Sequence, residues 1–146
     1  MVIAREFVLD ASVTIPWIFR DEKCRLADEA WTALVSEDAI AHVPGLWSLE
    51  IVNVTLLGPK KSDRPKPSKA DIALYFEVLG KMPLRFHHQG LEVFINEAAP
   101  LMQKHKKLTA YDAAYLLLAK RMELPLVTRD EVMEKVAISE GVEVMR

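Results

Sequence analysis

A chain of 146 residues fits one domain and is long enough to bury a core without disulfides or structural zinc. Its one cysteine, Cys24, excludes an internal disulfide and, with no histidine pair beside it, a zinc site, which points to the reducing cytoplasm. A net charge of −2 does not mark a generally basic nucleic-acid binder, no apolar run approaches the roughly 18 residues of a membrane span, and Arg5, Glu6 and Asp10 stand where an export signal needs an apolar core.

In chain order, the apolar run Phe7 to Leu9 predicts a strand. Val13 to Arg20 predicts a helix that breaks near Asp21, and Arg25 to Ser36 a second. Ile40 to Val43 reads as a strand stopped by Pro44, and Trp47 to Leu57 as a helix ended by Gly58-Pro59. The stretch Gly58 to Lys69, "GPKKSDRPKPSK", is a polar, Pro-rich, basic loop. Ser68 and Asp71 have capping-box spacing for a helix reaching about Leu79. Leu84 to His87 predicts a strand, Leu91 to His105 and Thr109 to Glu123 helices, Leu124 to Thr128 a strand, Glu131 to Ser139 a helix, and Val142 to Met145 a last strand. Alternation of this kind predicts a parallel sheet with helices on both faces.

Four acids fall at comparable places in this pattern. Asp10 follows the first strand, Glu50 opens the helix after the second, Asp112 lies in the first turn of an apolar helix, and Asp130 follows a late strand. Carboxyl ends of strands in an open α/β sheet point into the crevice where such folds bind ligands. Gathered acids repel unless a cation joins them, and hard divalent cations prefer carboxylate oxygens. A carboxylate cluster holding Mg²⁺ or Mn²⁺ for phosphodiester cleavage therefore needs no nucleophilic Ser, Cys or His.

Each acid also has a plainer role. Thr109 and Asp112 fit a capping box, Asp10 and Asp130 suit helix N-caps, and Glu50 could be a solvated helix residue. The apolar surroundings of Glu50 and Asp112, with few cations nearby in sequence, favour the cluster. Asn53, one turn after Glu50, shares its helix face and could steer the carboxylate. His87 and His88 would point to opposite sides of a strand, His42 is expected to pack, and Trp17, Trp31 and Trp47 to lie in the core. Lys60, Lys61, Arg64, Lys66 and Lys69 in the loop, with Lys104, Lys106 and Lys107 before the Asp112 helix, could bind phosphates flanking the acids.

The segments "FVLDAS", "LWSLEIVN", "LTAYDAAYLLLAKRMELPLVTRD" and "GVEVM" resemble, in order and over nearly the whole chain, the motifs of PIN-domain ribonucleases, in particular VapC-type toxins of toxin–antitoxin pairs. The resemblance implies a three-layer α/β/α fold with a central parallel sheet over residues 1–146 as a single domain. It also implies a cytoplasmic Mg²⁺- or Mn²⁺-dependent endoribonuclease toxin. Asp10, Glu50, Asp112 and Asp130 match the family's acids, Thr128 its hydroxyl residue before the last acid, and Ser12 a neighbour of the first. The implied partners are RNA, a small antitoxin and a second copy of the chain, with Trp17, Phe19 or Trp47 as possible walls of an antitoxin groove. One departure is that Gly58-Pro59 interrupts the Glu50 helix where similar proteins continue into an Arg-rich stretch. A haloacid dehalogenase would need an acid where Ser12 stands, and a receiver domain would need acids before the first strand. The alternative of a different class is a catalytically silent PIN-like module that binds RNA or protein.

Overall fold

The structure, a computed structural model, describes residues 3–19, 21–36, 38–58 and 64–146. Among them, β1 (Glu6–Leu9), β2 (Ile40–Pro44), β3 (Leu84–His87), β4 (Leu126–Val127) and β5 (Val144–Met145) form one parallel sheet in the order β3-β2-β1-β4-β5. Phe7, Val8 and Leu9 are fully buried. A run apolar at every position, rather than at alternate ones, is what a strand covered on both faces requires.

The register sets the geometry of the site. Val8 and Leu9 of β1 lie beside Leu126 and Val127 of β4 on one side, and Phe7 and Val8 beside Ala41 and His42 of β2 on the other. The chain moves outward from β1 through β2 to β3 and then returns to the opposite side of β1 for β4. The β1/β4 boundary is thus the switch point of the sheet, where the crevice of a doubly wound fold opens. Asp10 leaves β1 there and Thr128 leaves β4 beside it, tied by the Asp10 N–H donating to the Val127 carbonyl at 3.0 Å.

A 3-10 turn, Ala11–Thr14, runs directly into α1 (Ile15–Ile18), and α2 (Arg25–Val35) follows. The expected helix from Val13 thus begins in tighter winding, where Pro16, lacking an N–H, fits at the start of α1. The helix α3 (Leu46–Leu57) stops at Gly58, whose φ of 73° lies in the region that costs glycine little. The expected Ser68–Asp71 capping box is present and starts α4 (Lys69–Lys81).

The single helix expected from Leu91 is instead α5 (Leu91–Val93), a π-helical stretch Phe94–Ala98 and α6 (Ala99–Lys104). Pro100 supplies the reason: it has no N–H to donate and its ring would crowd the Asn96 carbonyl, and a widened turn relieves both. The central helix α7 (Ala110–Met122) packs on β1 and β2, with every residue from Ala113 to Ala119 buried. Glu123, at φ 54°, ends it, and α8 (Glu131–Ser139) leads to β5. No helix among the described residues is long and apolar enough to cross a membrane.

Candidate active site

Asp10 is 5% exposed. Its Oδ2 accepts from Ser12 Oγ at 2.5 Å and from Thr128 Oγ1 at 2.7 Å. Both hydroxyls are themselves aimed: the Arg129 N–H donates to Ser12 Oγ and the Asp130 N–H to Thr128 Oγ1, each at 3.0 Å. A hydroxyl has one hydrogen, so an oxygen occupied by an N–H turns that hydrogen to its other neighbour, here Asp10. Neither hydroxyl touches Oδ1. Asp10 stands at the N-cap of the following 3-10 turn, with no side-chain cap bond. Burial raises the proton affinity of Asp10, the bonds from Ser12 and Thr128 oppose that rise, and the charge of Asp112 adds to it.

Glu50 lies early in α3, half-buried, and its Oε2 accepts the hydroxyl hydrogen of Tyr115 from α7. Burial raises its proton affinity, Tyr115 opposes this, and the charges of Asp10 and Asp112 add to it. Asp112 opens α7 in a full capping box, its Oδ2 2.8 Å from Thr109 Oγ1 and its N–H donating back to that hydroxyl at 3.2 Å. The capping role and the cluster role, which look like alternatives in the sequence, coexist at this residue.

Asp130 stands apart. Its Oδ1 accepts the Met133 N–H at 2.8 Å as the N-cap of α8, and it does not figure among the charges that act on Asp10 or Glu50. Its backbone N–H also donates to Thr128 Oγ1, which bonds Asp10. Asn53 is exposed on α3 and makes no hydrogen bond to Glu50. Tyr115 takes the place expected for Asn53 as the partner of Glu50. Its position was readable, since a residue three after Asp112 shares that residue's helix face, but a buried tyrosine in an apolar helix reads first as core.

The charge of Asp112 raises the proton affinity of Asp10, and the charges of Asp10 and Asp112 raise that of Glu50; among the described residues no Lys, Arg or His pairs with any of the three. Also among the described residues, no three Asp, Glu, His or Cys side chains close on one point as a ready-made cage. Mg²⁺ does not need one, since it is commonly held by one or two carboxylates and several waters. Hard oxygen donors, uncompensated charge and an Asp10 Oδ1 untouched by either hydroxyl suit a divalent cation.

The basic residues proposed to bind phosphates fare differently, Lys66 and Lys69 being exposed. Lys60 and Lys61 lie outside the described residues. Arg64, expected as a free cation, has a side chain only 4% exposed that lies over the Phe19 ring and pairs with Asp21 at 2.9 Å and with Glu22. Glu22 in turn accepts from Arg129 at 2.6 Å, and Arg129 also donates to the Ser12 carbonyl, so Arg64 is tied through Glu22 and Arg129 to the residues beside Asp10. Lys104 is held by Glu140 at 2.8 Å, together with His105 and Lys120. Lys120 lies eight residues beyond Asp112, roughly 12 Å along α7, which places the Lys104 ammonium at the far end of that helix. Lys106 and Lys107 are exposed and, among the described residues, unpaired.

His42 and His87 meet across β2 and β3, ring nitrogens 2.8 Å apart, and His42 also bonds Glu6 at 2.9 Å. The sequence separates these residues by 45 positions, and only the strand register brings them together. Phe19 and Trp47 are core, each 3% exposed, whereas Trp17 packs edge-on against Trp31 and lines an open groove.

The PIN-domain family model matches residues 7–139. No curated protein matches the sequence. Solved structures with a similar fold include PAE2754 from Pyrobaculum aerophilum (TM-score 0.62, 17% identity, 99% of this chain and 92% of that one). FitAcB from Neisseria gonorrhoeae follows (TM-score 0.61, 17% identity, 96% of each chain). A domain of a functionally unknown protein from Methanocaldococcus jannaschii DSM 2661 has a TM-score of 0.52 at 16% identity over 97% of this chain and 90% of that one. With a family model spanning most of its length and acids gathered at the switch point of its parallel sheet, this chain belongs to the PIN-domain family.

Proposed function

We propose that the chain is a divalent-metal-dependent endoribonuclease, the toxin of a toxin–antitoxin pair. PIN domains are generally nucleases, and the observation that carries the reading here is that the charges of Asp10 and Asp112 bear on Glu50, and that of Asp112 on Asp10, with no protein cation among the described residues to relieve them. In this reading Asp10, Glu50 and Asp112 would hold Mg²⁺ or Mn²⁺, with Asp130 at the rim. When bound, the cation supplies Lewis-acid polarisation of a phosphodiester oxygen and makes a nearby water more acidic. The protein's own part is orientation. Ser12 and Thr128 fix Asp10, the Thr109 box fixes Asp112, and burial strengthens every charge interaction within the pocket.

The toxin assignment rests on the motif resemblance and is supported by two apolar surfaces. The groove of about 370 Å³ that Trp17, Trp31, Pro67, Leu74 and Val78 help to line suits an apolar antitoxin segment. In addition, α3 exposes Leu49, Val52, Leu56 and Leu57 on the side away from buried Trp47, Ile51 and Thr55. A helix apolar on both sides is one expected to be covered, and a second copy of the chain would cover it. The proposed location is the cytoplasm. Inducing the chain alone should arrest growth, and co-expressing a small antitoxin encoded beside it should restore growth. Normal growth with Asp10→Asn, alongside arrest with wild type, would tie the effect to the pocket. Growth unaffected by wild type would count against the toxin reading.

A further inference from the structure

Three carboxylates face the pocket, and each is held differently. Asp10 takes two hydroxyls, Ser12 two residues on and Thr128 from the end of the neighbouring strand β4, and Asp112 takes the Thr109 box within its own helix turn. Glu50 has the longest side chain of the three, springs from the partly exposed helix α3, and its one hydrogen-bond partner among the described residues is Tyr115. The negative charges of Asp10 and Asp112 push against it. A flexible carboxylate repelled from inside and free to reach solvent outside turns outward unless something holds it.

Tyr115 is built to do that. It is 1% exposed and packed in the middle of α7, so its ring cannot follow a moving partner. It lies three residues after Asp112, on the same helix face, so one rigid element carries both the second acid and the anchor of the third. The hydroxyl has one hydrogen, and it is directed at Glu50. The Tyr115 hydroxyl therefore ties α7 to α3.

We infer that Tyr115 is a positioning residue that holds the Glu50 carboxylate in the pocket, so that the metal site exists before the metal arrives. This rests on the metal-dependent nuclease reading.

The test is Mn²⁺ binding to metal-free protein, followed by the loss of the free-ion paramagnetic resonance signal and needing no RNA. Tyr115→Phe keeps the ring and removes the hydroxyl. It should weaken Mn²⁺ about tenfold or more, the usual scale for removing a residue that orients a ligand. In Glu50→Gln, adding Tyr115→Phe should change the affinity less than about twofold, because its effect runs through Glu50. Glu50→Asp, with its carboxylate too short to meet the phenol, should match Tyr115→Phe and covers the case in which that variant folds poorly. The exposed Tyr111→Phe on the same helix should leave binding unchanged. The inference is overturned if Tyr115→Phe or Glu50→Asp binds Mn²⁺ as wild type does, or if the loss is as large in the Glu50→Gln background. Failure of wild type itself to take up Mn²⁺ would overturn the metal reading, and this inference with it.

Discussion

Thr109 and Asp112 close a complete capping box at the start of α7, and the charge that completes it is also one that Asp10 and Glu50 feel. The two functions separate by substitution. Thr109→Ala removes the cap hydroxyl that also orients Asp112, and should cost about 0.5–2 kcal/mol while lowering RNA cleavage only in part, because the carboxylate itself remains. Asp112→Asn should abolish cleavage. Its stability loss should be smaller than that of Thr109→Ala, because relief of repulsion offsets the weakened cap. Urea melts of the metal-free proteins with parallel cleavage assays check both.

Asp10→Asn should likewise abolish cleavage, but with no stability cost. Asp10 is buried with a raised proton affinity, so its ionised form destabilises the fold at neutral pH. A neutral amide of the same size keeps an oxygen for Ser12 and Thr128. The metal-free melting temperature should stay level or rise, as is common when a strained functional charge is removed. Added Mn²⁺ should stabilise wild type and not the variant.

The Glu140 clamp gives the molecule a second, unrelated dependence on pH. Hydrogen bonds from Lys104 and His105 hold Glu140 down at about 2 against its ordinary 4.5. Its contribution to stability is therefore full above pH 4.5 and drains away as pH falls toward 2. Glu140→Gln should be less stable than wild type at pH 7, with the gap narrowing between pH 4.5 and 3. A gap constant across that range would show that the clamp does not act through the carboxylate charge.

Of the lysines near the Asp112 helix, Lys106 and Lys107 are unpaired among the described residues, while Lys104 is held by Glu140. Neutralising Lys106 and Lys107 together should weaken RNA binding and flatten its dependence on salt by roughly 1.4 in log–log slope, about 0.7 for each phosphate of single-stranded RNA that is no longer neutralised. Lys104→Gln should leave that slope unchanged.

The parts of this fold that are legible in the sequence are those governed by local rules. The Phe7–Leu9 run, the Ser68 and Thr109 boxes and the Gly58 stop each follow from chemistry within a few residues. Asp10 and Glu50 stand out because acids in apolar surroundings need an explanation. What escapes is decided by register and packing across the chain. Tyr115 meets Glu50 from 65 residues away, Thr128 meets Asp10 from 118, and Arg64 is drawn into Asp21 and Glu22 from a loop whose composition suggests a solvated surface. Asp130 shows the converse. Its place after a late strand suggests the pocket, yet the start of α8 three residues on claims one of its oxygens.

The most direct test of the central claim is the chemistry of the RNA ends. Purified wild type should cut single-stranded RNA in Mn²⁺, stop on addition of a chelator, and leave 5′-phosphate and 3′-hydroxyl ends, because water rather than the RNA's own 2′-hydroxyl attacks phosphorus; Asp10→Asn from the same preparation should leave the RNA intact. Cleavage that persists in chelator, or ends carrying a 2′,3′-cyclic phosphate, would contradict a carboxylate-held metal at Asp10, Glu50 and Asp112.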